Sequence, residues 1–164
     1  MRSELSAGSR IWGLVASRFN EEICRALEAG ARSCLVAHGA DEGSIVTFWV
    51  PGSFEIPGAA RAALESGRVD AIVGLGVVIR GETPHFEHVS RTATDGLARL
   101  AFESGRPVTL GLLTVDTVAQ ARERAGGGRG NKGWEAALAA LEMAALYDEL
   151  AESPRVGFRG WGET

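Results

Sequence analysis

His85 is one of three histidines in the chain, and it follows the run Gly81-Glu82-Thr83-Pro84 where an apolar-periodic stretch begins. A glycine-led turn running into a helix start offers unpaired N–H groups and the positive end of the helix dipole, and both favour an anion such as phosphate. An imidazole on the first turn lies beside such a group, and imidazole is the side chain best suited to giving and taking protons near neutral pH. By residue type alone, a histidine at a helix start is also an ordinary cap or surface residue.

Further stretches carry chemical potential. Arg124, Arg129 and Lys132 surround glycines 126–128, 130 and 133. A guanidinium grips phosphate oxygens with two prongs where an ammonium offers a point charge, so Arg124 is the better phosphate anchor. The glycines do not form a phosphate-binding loop of the GxxxxGK[ST] type, because Gly133 follows Lys132. Without other information the stretch is a mobile basic loop. Phe19, in Ser17-Arg18-Phe19-Asn20, ends an apolar run just before a helix cap, where its face could stack on a flat heteroaromatic ring or could staple the helix to the sheet. In Pro51-Gly52-Ser53-Phe54-Glu55, prolines and glycine stiffen a loop that presents a hydroxyl and a carboxylate. That suits recognition of a polyol, or simply a turn and helix entry. His85, Glu87 and His88 invite a metal site, but Glu87 points away from the shared helix face and no third ligand is evident, so no metal is expected.

Such residues need a scaffold, and the apolar pattern supplies one. Short apolar runs bounded by turn residues predict strands at 11–17, 44–50, 69–78 and 107–115. Helical periodicity predicts helices at 21–38, 56–66, 84–104 and 118–124, with a long last helix opening at Asn131. Asn20 is the expected side-chain cap of the first helix and Gly39 its stop, while Pro84 suits a first-turn position. In the last helix Trp134, Leu138, Leu141 and Ala145 are expected along one stripe. Strands alternating with helices predict a three-layer α/β sandwich of flavodoxin-like kind, a four-stranded parallel sheet with helices on both faces. Ligands then collect beyond the carboxyl ends of the strands, where the distinctive residues fall.

The 164 residues suit a single domain, with a core over about 11–150 and a C-terminal extension over 151–164 that is irregular or docked on a neighbour. A hydrophobic share of 45% and a charged share of 23% are ordinary for a folded protein. With a net charge of −4 there is no basic field to draw the chain to nucleic acid. Cys24 and Cys34 match no zinc or redox spacing and are expected as buried thiols in a reducing compartment. No stretch reads as a signal peptide or membrane span, so the expectation is a cytoplasmic protein.

Four motifs in one order, VASRFN, VPGSFEIP, VIRGETPHFEHV and ERAGGGRGNKG, give a more specific reading. Over about 11–150 the chain resembles the lumazine synthases. The resemblance implies condensation of 5-amino-6-(D-ribitylamino)uracil with 3,4-dihydroxy-2-butanone 4-phosphate to 6,7-dimethyl-8-ribityllumazine, phosphate and water, with no cofactor. It implies His85 as the catalytic proton carrier. Phe19, Asn20, Ser53, Phe54, Glu55, Val77, Val78, Ile79, Leu110 and Lys132 would bind the pyrimidine and ribityl parts, and Gly81, Glu82, Thr83 and Arg124 the phosphate. It also implies a site between subunits, hence a pentamer at least and a possible icosahedral 60-mer, strand contributions from a neighbouring subunit, and a functional link to riboflavin synthase. One departure is PVTLGLLT, which has Leu110 where the family usually carries phenylalanine. The alternatives are a non-catalytic flavin- or lumazine-binding paralogue that forms a shell, and the related archaeal riboflavin synthases, which carry different motifs.

Overall fold

The computed structural model describes residues 4–153. Of the expected C-terminal extension, residues 154–164 lie outside the described part. Four strands, β1 (Trp12–Ser17), β2 (Ile45–Val50), β3 (Ala71–Ile79) and β4 (Val108–Val115), form a parallel sheet in the order β2-β1-β3-β4. The expected strands are present, each within two residues of the predicted ends. Every residue of β1 is buried, as is all of β3 except Ile79, because the inner strands are covered on both faces.

Alternation along β1 divides the two cores. Leu14 and Ala16 face α1 (Glu21–Ala37) and α5 (Lys132–Glu152), where they meet Leu27, Cys34, Leu35 and Leu141. Val15 faces the other way, toward α2 (Ile56–Glu65) and α3 (His85–Ser104), among Ile56, Ala60, Ile72 and Leu97. Each such fully buried aliphatic side chain contributes roughly 2 kcal/mol through removal from water. The result is the three-layer α/β, flavodoxin-like sandwich expected from the alternation of elements.

The helices depart from expectation in detail. On α5 the buried residues are Gly133, Ala136, Ala137, Ala140, Leu141 and Ala144. Of the expected stripe only Leu141 is fully buried, and Trp134 is exposed. The reason is distance: α5 lies so close to α1 and β4 that small residues must face inward, and a Cβ on Gly111 of β4 would already stand 3.2 Å from the Ala136 methyl. Asn20 does occupy the cap position of α1, but its side chain makes no capping bond, and its backbone is left-handed at φ 57°, ψ 57°. α3 starts one residue later than expected, so Pro84 stands before the helix and its carbonyl accepts from Glu87 N at 3.0 Å. Residues 125–131, read as a mobile loop, instead form a small antiparallel hairpin of β5 (Ala125–Gly127) and β6 (Gly130–Asn131). Ahead of it, α4 (Val118–Arg124) starts from a capping box between Thr117 and Gln120, a T-x-x-Q signal visible in the sequence.

Strand order fixes where a ligand can go. The chain leaves β1 through α1 toward β2 at one edge, and leaves β3 through α3 toward β4 at the other. α1 and α3 lie on opposite faces of the sheet. A crevice therefore opens between the carboxyl ends of β1 and β3, the switch point of the sheet.

Candidate active site

The segments after β1, β2 and β3 wall this crevice. β1 runs on into Arg18, whose N–H donates to Val50 O at 2.8 Å, and the chain then turns to stand Phe19 at the rim. After β2, Gly52 leads into a 3₁₀ turn over Ser53–Glu55. After β3, Arg80 N–H donates to Val115 O at 2.9 Å, and its guanidinium bonds Asp116 Oδ1 at 2.8 Å while lying 4.7 Å from the Phe86 ring centre. That clamp holds the turn at 81–84 between α3 and the start of the β4–α4 connection.

The cleft so formed encloses about 490 Å³. It brings together Phe19, Ser53, Phe54, Glu55, Val77, Val78, Ile79, Gly81, Thr83 and His85, all foreseen from the sequence. Gly52, Phe86 and Val89 also line it and were not foreseen. Phe86 and Val89 are spaced i, i+3 over the first two turns of α3, an apolar pair beside His85 that could have been read as lining.

Three properties of the cleft bear on its chemistry. Phe19 and Phe54 are 68% and 59% exposed, so each has surface to offer a ligand. Ser53, by contrast, is buried, and its Oγ has no hydrogen-bond partner among the described residues. A buried hydroxyl left unpaired costs roughly 1–3 kcal/mol, so this one is suited to meeting a polar group brought by a ligand. Room for it depends on Gly76, since a Cβ there would stand 2.6 Å from Ser53 Oγ. Finally, residues 85 and 86 carry first-turn amides outside the helical ladder of α3, at the positive end of its dipole.

Other expected site residues lie elsewhere in the chain. Asn20 is half-buried at the start of α1 and does not line the cleft, and Glu82 is exposed beside it without lining it. Leu110, midway along β4 opposite Gly74, packs among Val78, Ala93 and Leu112. Arg124 and Lys132 line a second opening of about 420 Å³ with Arg129 and Glu135. There Arg124 Nη1 donates to Gln120 O at 3.0 Å, and Lys132 Nζ bonds Glu135 Oε2 at 3.3 Å. Within one chain, then, neither Arg124 nor Lys132 lines the cleft, although Arg124 also borders a groove that it shares with Arg80 and Phe86.

Cys24 and Cys34 are free and buried, as expected, and burial pushes each thiol up to about 11. Among the described residues no group of three His, Cys, Asp or Glu side chains is placed to hold a metal, and no helix is long and apolar enough to cross a membrane.

Fold and cleft define a flavodoxin-like α/β protein with a crevice walled by aromatic and apolar side chains at its strand switch point. A family model described as 6,7-dimethyl-8-ribityllumazine synthase matches residues 10–148, and the chain belongs to that family of enzymes. Three proteins named 6,7-dimethyl-8-ribityllumazine synthase illustrate the similarity. That of Aquifex aeolicus is 48% identical over 147 residues, covering 90% of this chain and 96% of its own. Those of Chlorobaculum tepidum and Chloroherpeton thalassium are 47% and 44% identical over 150 residues, each covering 92% of this chain and 97% of the relative.

Proposed function

We propose that the chain condenses 5-amino-6-(D-ribitylamino)uracil with 3,4-dihydroxy-2-butanone 4-phosphate, giving 6,7-dimethyl-8-ribityllumazine, phosphate and water, in riboflavin biosynthesis. The observation that carries this reading is the convergence of the Phe19 ring, the unpaired Ser53 hydroxyl and His85 on one cleft. The pyrimidine stacks on Phe19 between the apolar walls of residues 77–79, and such a stack is worth about 1 kcal/mol beyond burial. The ribityl hydroxyls meet Ser53, Phe54 and Glu55. The phosphate of the second substrate sits at the turn of Gly81, Glu82 and Thr83, ahead of the α3 N-terminus.

The work of the site is to hold two reactants in register, so that an intermolecular condensation becomes local, and to move protons. In a first step the 5-amino group of the uracil attacks the ketone carbonyl and water leaves to give an imine; in a second, phosphate is eliminated, leaving a carbonyl on which the ribitylamino nitrogen closes the ring with loss of a second water. His85 takes and returns protons in both steps, and it stands at the cleft mouth beside the phosphate turn.

Arg124 grips the phosphate from a neighbouring copy, while Lys132 of that copy meets the pyrimidine and ribityl parts and its Leu110 closes the apolar wall. None of the three lines the cleft within one chain, which supports a site completed between subunits. The assembly is a pentamer at minimum, with a 60-subunit shell as its larger form, and sedimentation distinguishes the two. A cytoplasmic location is supported by two buried, unpaired thiols. A functional link to riboflavin synthase, which consumes the product, follows from the same reading.

The test is to mix purified protein with both substrates and follow lumazine absorbance and phosphate release. His85→Ala slows turnover by about 10²- to 10⁴-fold and leaves assembly intact. Arg124→Ala raises KM for the phosphorylated substrate far more than KM for the uracil. Equal effects on both substrates contradict the role of Arg124, and absence of product with the native protein overturns the whole reading.

A further inference from the structure

An aromatic ring that stands mostly in solvent on a strand-to-helix joint is aimed by its backbone, because few side-chain neighbours restrain it. The backbone of Phe19 is held at both of its polar groups by buried side chains. Its N–H donates to Ser17 Oγ at 3.1 Å, and its carbonyl accepts from Cys24 Sγ at 3.3 Å. Ser17 is the last residue of β1 and Cys24 lies on the first turn of α1, and neither is exposed at all. Between them the chain reverses at Asn20, the one non-glycine with positive φ among the described residues. Asn20 O in turn accepts from Ile23 N and Cys24 N, each at 3.1 Å, which ties the reversal to the helix.

We infer that Ser17 and Cys24 are positioning residues, which together fix the orientation of the Phe19 ring and thereby the affinity for the heterocyclic substrate. Neither touches the substrate, and both act through Phe19. The inference rests on the stacking role assigned to Phe19 above. The physical reason is preorganisation: a ring already held in its binding orientation loses less freedom when the ligand arrives. The thiol is suited to this because it stays a protonated donor throughout the physiological range.

Steady-state kinetics with both substrates test the inference on the assembled protein, using Ser17→Ala, Cys24→Ala, Cys24→Ser, Phe19→Ala and the double variant Phe19→Ala/Cys24→Ala. Sedimentation and thermal unfolding are recorded for each. Cys24→Ala and Ser17→Ala each raise KM for the uracil by about three- to tenfold, with kcat and KM for the phosphorylated substrate within about twofold. Cys24→Ser keeps a donor at the same place and returns KM for the uracil toward the native value. In the Phe19→Ala background, Cys24→Ala adds nothing, because the ring it aims is gone. If Cys24→Ala lowers thermal stability and leaves KM for the uracil unchanged, the positioning role is overturned. The same holds if Cys24→Ala is as costly without Phe19 as with it. Should Cys24→Ala fail to assemble, Ser17→Ala decides by the same readings. If Phe19→Ala itself leaves KM for the uracil unchanged, the stacking role fails and takes this inference with it; if only the Cys24 and Ser17 variants are silent, stacking stands and positioning falls.

Discussion

Gly133, at the start of α5, presses directly on the carbonyl oxygen of Leu27 in α1, so that a Cβ at 133 would fall far inside the van der Waals contact distance to that oxygen. Asn131 seals the same crossing. Its Oδ1 accepts from Gly133 N at 2.8 Å and Trp134 N at 3.2 Å, while its Nδ2 donates to Ala26 O at 3.0 Å. One side chain thus caps α5 and anchors it to α1, and Lys132 is held between these two contacts.

Gly133→Ala is expected to destabilise the protein by about 3 kcal/mol, because the atom in the way is backbone and cannot swing aside. Gly128→Ala, where a Cβ would meet nothing within 4 Å, is expected to stay within about 0.5 kcal/mol of the native value. Urea denaturation of the two variants checks this, and equal stability would mean that the helices separate freely.

At residue 20 the issue is backbone conformation. Glycine enters the left-handed region without a Cβ penalty, whereas a β-branched residue there costs roughly 1–2 kcal/mol. Asn20→Gly should therefore keep both stability and the KM for the uracil, and Asn20→Val should lose stability by that amount. A large rise in KM for Asn20→Gly would instead return the side chain to direct substrate contact, as the family resemblance implies.

The buried thiols make stability depend on pH. Unfolded, Cys24 and Cys34 ionise near 9.0, and folded, near 11. Below the unfolded value both states are protonated and the contribution is fully present. As pH rises from about 9 to about 11, the unfolded chain gives up its protons first and stability falls, by up to ~1.4 kcal/mol per pH unit for each thiol. Chemical denaturation at a series of pH values measures the slope, and Cys34→Ala should flatten it. Below pH 9 both thiols should also alkylate far more slowly in the folded protein than in denaturant.

Leu110→Phe is expected to lower KM for the uracil by about threefold, since an aromatic wall contributes roughly 0.5–1.5 kcal/mol more than its area alone. Kinetics with the uracil as varied substrate provide the check. An unchanged value would place the limiting wall elsewhere.

Periodicity and turn chemistry were enough to read the four sheet strands and the five α-helices, though not the 125–131 hairpin, because both signals are local. Six apolar residues before Ser17, or Gly39 after a helical run, announce a strand and a stop without reference to the rest of the chain. The cleft was legible for a related reason: Phe19, Ser53 and His85 each follow a strand, and parallel order carries strand ends to one side of the sheet.

The sequence by itself thus determined strand and helix order, the sheet type and the motifs that mark the family. Only the tertiary structure decided which residues meet. It set the alanine face of α5 inward, because the gap to α1 admits no larger side chain. It turned Asn20 left-handed, because two buried side chains hold the joint before it. And it kept Arg124 and Lys132 out of the lining of the cleft that holds His85, because distances across a sheet depend on strand order and helix packing, which no local pattern of residues records.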